Sequence, residues 1–296
     1  MFFHDKRLQY RAKPDRPDPL YARKLQEVLG GQWGEMTVAL QYLFQGWNCR
    51  GPAKYRDMLL DIGTEELAHV EMLATMIGQL LEGAPVEDQE AAVRNNSVVA
   101  AVLGGSSPRD MILTAGMNPQ HVIVGGLGAA PTDSVGFPWT SRYMISSGNL
   151  LADFRANLTA ETQGRLQVIR LYEMTEDKGV RDMLSFLIAR DSMHQNQWLA
   201  ALAELEADGL DRTPGPANFD RNLEMTEVSY QFWNCSVGTE SSQGRWASGP
   251  TPDGQGEFQY VADPRPMGPE PVPNPVDPRV RSTAPEPELE LAGVSS

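Results

Sequence analysis

Apolar residues recur at three- and four-residue intervals through four long stretches of this chain, the spacing of helices with one buried face. The first stretch covers residues 20–46 and is broken by GWNCRGP at 46–52. The second runs from Ala53 to Leu81 and closes at Glu82-Gly83-Ala84-Pro85, a clear stop signal. Helical pattern returns near Asn149 and continues to Thr175, where Asp177-Lys178-Gly179 punctuates it. The fourth stretch spans Val180 to Glu206 and ends at Asp208-Gly209-Leu210.

Between the second and third stretches, residues 86–147 are rich in Gly, Pro, Ser and Asn, with short β-branched runs such as HVIVGG. That composition predicts a long excursion with a few short strands, of the kind that lines a channel or grips a neighbouring subunit. Two helical hairpins joined by a long crossover predict a mainly α fold, a ferritin-like four-helix bundle over residues 1–210. After residue 210 the period is lost, and residues 211–296 read as an irregular arm. From residue 248 onward the chain holds 11 of its 22 prolines. Such a segment builds no core of its own, so it is either disordered or extended over a partner subunit.

The polar residues that interrupt the apolar stripes carry the chemistry. The stripe Val28, Val38, Ala39, Tyr42 contains Glu35, and Leu59, Ile62, Val70, Leu73, Met76, Ile77, Leu80 encloses Glu66 and His69. Leu150, Phe154, Leu158, Val168, Leu171 contains Glu161, and Leu184, Leu187, Trp198, Leu202 encloses Asp191 and His194. Burying one carboxylate costs several kcal/mol unless something charged pairs with it (about 3–5 kcal/mol when a partner is missing). Glu35 precedes Glu66 by 31 positions and Glu161 precedes Asp191 by 30. Each hairpin thus offers an acid on its first helix and acid-x-x-His on its second. An i, i+3 pair converges on one point of a helical face, and this pattern holds two metal ions inside helical bundles.

Carboxylate-rich N/O donor sets suit manganese and iron alike. At position 191 an aspartate stands where a symmetric site would have glutamate, one methylene longer. If it falls short of the metals, Glu35, Glu66, His69, Glu161 and His194 are the ligands and Asp191 is a free carboxylate beside an open position. Such a carboxylate suits a small protic substrate that must lose a proton. Tyr42 lies two turns beyond Glu35, where its hydroxyl either orients a ligand carboxylate or packs at the bundle edge.

Composition narrows the partners. The chain has 296 residues, 41% hydrophobic and 22% charged, with net charge −14. The negative charge argues against nucleic acid. No run is long enough for a membrane span, and the charged N-terminus has no signal core, so a cytoplasmic location is expected. Cys49 and Cys235 lack metal-binding spacing and are expected as buried apolar side chains rather than a disulfide.

Several segments carry a more specific likeness: QWGEMTVALQYLFQ, EELAHVEM, ETQGRLQVIRLYEMT, MLSFLIARDSMHQNQW, QFWNCSVGTESSQGRW and GQGEFQY. Over roughly residues 1–260 the chain resembles the manganese catalases, the non-haem catalase family. The resemblance implies a ferritin-like bundle whose two manganese ions, without haem, disproportionate hydrogen peroxide to water and dioxygen, cycling between divalent and trivalent pairs. It implies Glu35, Glu66, His69, Glu161 and His194 as ligands, with Glu66 and Glu161 dividing bridging and terminal duties. It places the base outside the ligands at Asp191, and Tyr42 matches a tyrosine that supports them. Where some members have arginine beside the third-helix ligand this chain has Ala160, implying a more open approach. The family further implies a hexamer with C-terminal arms wrapping neighbours. Calcium at a subunit contact is implied as well, for which Asp57, Asp61, Asn218 and Asp220 offer oxygen ligands. The competing readings are a di-iron oxidase or ferroxidase on the same bundle and a structural, coat-type protein of the same family.

Overall fold

The structure, a computed structural model, describes residues 4, 7–83, 121, 124–210, 224–272 and 274. Most of the expected excursion, including Val122 and Ile123 of HVIVGG, lies outside the described residues, as do Asn218, Asp220 and the last residues of the arm. The chain divides into two compact units, residues 1–215 and 216–296.

Unit one is helical. Among the described residues it contains α1 (Pro19–Gly30), α2 (Glu35–Asn48), α3 (Ala53–Leu80), α4 (Leu150–Glu173) and α5 (Lys178–Ala207). Local chemistry sets the starts. Asp18, Asn149 and Asp177 accept from the backbone N–H of Tyr21, Ala152 and Val180, capping α1, α4 and α5. Pro19 opens α1, where its missing N–H costs nothing.

The first stretch is two helices rather than one. Gly31 leaves α1 with an extended backbone, and a Cβ there would overlap the Glu27 carbonyl, so only glycine permits this exit. The chain re-enters helix at Glu35, which therefore opens α2 instead of lying mid-helix. The first turn of a helix favours a carboxylate, because the unpaired N–H groups there carry partial positive charge.

The helices α2–α3 and α4–α5 form the two hairpins, and α1 packs mainly on α3. Close approach of α2 to α3 depends on Gly63, where a Cβ would sit 3.0 Å from Leu43. The core is in two clusters. One gathers Leu25, Val28, Leu73, Ile77, Val168, Leu184 and Leu187; the other gathers Val38, Tyr42, Leu59, Ile62, Phe154 and Trp198. Along α3, α4 and α5 each helix contributes to one cluster, then passes a polar stretch, then contributes to the other. Glu66, His69, Glu161, Asp191 and His194 occupy that intervening layer. Val70, Leu150, Leu158 and Leu202 are half-buried at the edges of their stripes.

Buried amides fasten the return of the crossover. Gln41 and Gln45 both donate to Asn157, and Gln45 donates to the Ile145 carbonyl while Gln41 accepts from its N–H. Gln26 donates to the Ala130 and Thr132 carbonyls. The Gln26 amide satisfies carbonyls of buried residues that would otherwise be unpaired.

In unit two, a small sheet stands within the stretch read as without period. Its strands β1 (Gln231–Trp233), β2 (Ser248–Pro250) and β3 (Glu257–Val261) lie in the order β1-β3-β2. The β1–β3 pairing is parallel, with Phe232 opposite Tyr260, and β2–β3 is antiparallel. Strands of three to five residues leave too short an alternation to read. Cys49 is half-buried and Cys235 exposed, both free, so the expected burial of the cysteines fails: Cys235 follows β1 in a turn-rich loop.

Candidate metal centre

The intervening layer brings together the residues that the stripes singled out. Glu35 comes from the first turn of α2, Glu66 and His69 from the middle of α3, Glu161 from α4, and Asp191 and His194 from α5. All six are buried, and both histidines are fully so.

Glu66 stands between the imidazoles. Its Oε2 lies 2.7 Å from His69 Nδ1 and its Oε1 2.6 Å from His194 Nδ1. The rings are stacked at 5.6 Å, 25° apart. Glu35 Oε2 lies 3.5 Å from His69 Nδ1. Atoms of Glu66, His69 and His194 capable of binding a cation lie within 4.8 Å of one another, as do atoms of Glu35, His69 and Asp191. The two groups share His69. Asp191 thus reaches the centre despite its shorter side chain, on the side of Glu35.

Glu161 is placed differently. Its Oε1 is 3.8 Å from His194 Nδ1 and accepts a 2.7 Å hydrogen bond from the Tyr42 hydroxyl. The Trp198 indole N–H also points to it, at 3.5 Å. Ala160 is packed in the second core cluster rather than at an opening.

These close approaches are not hydrogen bonds. Both Glu66 oxygens, both His69 nitrogens, His194 Nδ1 and Asp191 Oδ2 are buried without a hydrogen-bond partner. A buried polar atom left unpaired costs about 1–3 kcal/mol, more when charged. Apart from His69 Nε2, which turns outward, these atoms converge in one layer and match a donor set aimed at cations, and carboxylate with imidazole is the donor chemistry of divalent transition metals. The electrostatics agree. Burial, then repulsion from Glu66, pushes the Glu35 and Glu161 carboxyls well above the usual range. The same causes push Asp191 up to about 7. Burial would raise Glu66 as well, but His69 and His194 outweigh it and hold this carboxylate well below its usual value. Burial would lower His69, yet Glu66 and Glu35 keep it well above. Burial, then Glu161, raises the Tyr42 hydroxyl, keeping it a donor.

The stripes did not reveal Glu65. It accepts from Arg190 at 2.6 and 3.1 Å, from Gln9 at 2.8 Å and from His194 Nε2 at 3.1 Å. Its only sequence signal is the i, i+4 spacing to His69, which any solvated glutamate of a helix shares. Asp57 and Asp61 are exposed on α3; their proposed companions Asn218 and Asp220 lie outside the described residues. No helix among the described residues is long and apolar enough to cross a membrane.

Comparison with known proteins follows the same lines. The family described as Manganese containing catalase matches residues 1–291. A Bacillus subtilis protein named Manganese catalase is 56% identical over 285 residues, covering 96% of this chain and 99% of the relative. A protein of Bacillus subtilis strain 168 named Uncharacterized protein YjqC is 62% identical over 264 residues, 89% of this chain and 91% of the relative. Among solved structures, KatB, a manganese catalase from Anabaena, superposes with a TM-score of 0.65 at 27% identity, covering 89% of this chain and all of KatB.

Proposed function

The chain belongs to the manganese-containing catalase family, and from that premise we infer how its own residues do the work. It is a catalase that disproportionates hydrogen peroxide to water and dioxygen at a dinuclear manganese centre. When bound, the two ions supply the two-electron redox capacity by which one peroxide is reduced and the next oxidised.

Glu35, Glu66, His69, Glu161 and His194 hold the two ions. Glu66, with one oxygen toward each imidazole, would be the carboxylate shared between the two halves of the site. Tyr42 keeps Glu161 aimed by donating to Oε1, so this carboxylate turns less freely than the others. Asp191 receives the proton of an incoming peroxide at Oδ2, the buried oxygen with no other partner, and returns it to the oxygen leaving as water. The apolar clusters on either side keep bulk water from the layer, which strengthens every charge interaction within it.

The observation that carries this assignment is the set of buried, unpartnered carboxylate and imidazole atoms converging in one layer. The protein works in the cytoplasm as a homo-oligomer, a hexamer, with the proline-rich arm as the wrapping element. Calcium held through Asp57 and Asp61 belongs at a contact in that assembly.

The test is to purify the chain from cells supplied with both metals, measure manganese and iron per chain, and add peroxide at an oxygen electrode. Two manganese per chain with prompt oxygen release, and no haem absorption, is the expected result. Two irons with oxygen uptake would move the protein to the oxidase class. A chain with neither metal would make it a structural member of the family.

A further inference from the structure

Glu65 follows none of the apolar stripes, yet it is the most heavily held carboxylate beside the centre. Both of its oxygens are engaged. Oε1 accepts from Arg190 Nε at 2.6 Å and from Gln9 Nε2 at 2.8 Å; Oε2 accepts from Arg190 Nη2 at 3.1 Å and faces His194 Nε2 at 3.1 Å. A two-pronged guanidinium contact fixes the plane of a carboxylate as well as its position. The third anchor comes from the segment before α1. Around Gln9 that segment is tied down in its own right: Tyr10 stacks on Phe186 at 4.7 Å and donates to Asp182 at 2.7 Å.

An ionised carboxylate only accepts, so the contact with His194 requires the proton on Nε2. Nδ1, in the layer of unpartnered donors, faces the Glu66 carboxylate at 2.6 Å, so the nitrogen that gives up its proton to a cation in the layer is Nδ1, while Glu65 retains the proton on Nε2. The ring of His69 is turned the same way, with Nδ1 inward at Glu66 and Nε2 outward, 3.8 Å from Glu65 Oε1. One carboxylate therefore backs both imidazoles, bonded to His194 and set at longer range behind His69.

We infer that Glu65 is a positioning residue of the metal centre: clamped by Arg190 and Gln9, it fixes the tautomer and ring plane of His194 and backs His69, so that both present Nδ1 to the metals. The inference rests on the metal site assigned above. It adds a function to the segment before α1, which reaches the centre through Gln9 without touching a ligand.

The experiment uses the manganese-loaded protein and three variants: Glu65→Gln, Arg190→Gln and Gln9→Ala. Three quantities are read: manganese per chain, the half-time of manganese loss to an excess of chelator, and the visible absorption spectrum of the oxidised centre. Partners that orient a ligating histidine are worth roughly 10- to 100-fold in metal affinity. Glu65→Gln is expected to shorten the half-time by about that factor and to shift the spectrum, because an amide can turn its N–H₂ toward His194 and reverse the tautomer. Arg190→Gln should give a smaller change in the same direction, and Gln9→Ala a smaller one again. Lys54→Met, which removes an exposed ion pair on α3 remote from the centre, serves as the control for general destabilisation. Should Glu65→Gln prevent folding, Arg190→Gln decides by the same readouts. A wild-type half-time and spectrum in Glu65→Gln, or changes no larger than those of Lys54→Met, would overturn the inference. Wild-type protein that takes up no manganese would instead overturn the metal site itself, so the two failures are distinguishable.

Discussion

The two helical hairpins repeat a pattern in sequence but not in environment. Glu35 opens α2 behind a glycine break, in the first turn of its helix; Glu161 lies deep within α4 and is held by the Tyr42 hydroxyl. Glu66 in α3 serves both imidazoles, whereas its counterpart Asp191 in α5 joins only Glu35 and His69. His194 is bonded to Glu65 through Nε2, while His69 stands further from the same carboxylate. A near-symmetric donor set has thus been given unequal surroundings. The difference teaches that spacing decides which side chains share the layer, while the surroundings of each follow from what lies behind it.

The strongest way to break the comparison is to remove the shared residue. Glu66→Gln should abolish binding of both ions and reduce oxygen release to background, measured by elemental analysis and oxygen electrode. Retention of two manganese ions would show that Glu66 is not common to them. Removing the metal instead of the ligand leaves the buried carboxylates to repel one another. At manganese a thousandfold above its dissociation constant, the loaded protein should exceed the chelated protein by about 4 kcal/mol, seen as a melting temperature that rises with manganese concentration. A melting temperature independent of manganese would refute the site.

Asp191→Asn sharpens the contrast between the two acid-x-x-His pairs. If Asp191 handles protons, the variant keeps its manganese and loses roughly 10²–10⁴ in turnover. Loss of metal would assign it to the ligands, restoring symmetry with Glu66. Tyr42→Phe tests the support that Glu161 has and Glu35 lacks. About a tenfold loss in activity with little change in folding is expected, and an unchanged rate would leave the tyrosine a packing residue.

The smallest effect lies at the far end of α3, where Lys54 bonds to Glu204 of α5 and to Asp208, the residue that follows it. Hydrogen bonds from Lys54, then Tyr55, hold the Asp208 carboxyl below its usual value. A depressed folded value means stabilisation that is present above the unfolded value, near 3.9, and lost as pH falls through the folded one. Lys54→Met should flatten that acid limb slightly in urea titrations, because exposed ion pairs are strongly screened. A large change there would mean that the ends of the bundle matter more than its polar layer.

Much of this molecule was legible in the chain. The boundaries of α3, α4 and α5 fell within three residues of the pattern, because long amphipathic stretches with stop signals leave little choice. The six residues of the layer were legible for the opposite reason: a carboxylate or imidazole on an apolar stripe violates the pattern, and the violation repeated at matched spacing. The break between α1 and α2 escaped because Gly-Gly-Gln-Trp-Gly continues an acceptable helical period and only the packing required an exit. The sheet of unit two escaped because strands of three residues carry no readable alternation.

The sequence by itself determined which side chains must meet: helical periodicity places each on the buried face, and the cost of unpaired charge demands something to receive them. Only the tertiary structure decided what each one does there. Roles depend on distances between helices, and those are set by packing contacts such as Gly63 against Leu43 that no local pattern encodes. That is why Glu65, an ordinary surface glutamate in the sequence, becomes the carboxylate behind both histidines once α3, α5 and the segment before α1 are brought together.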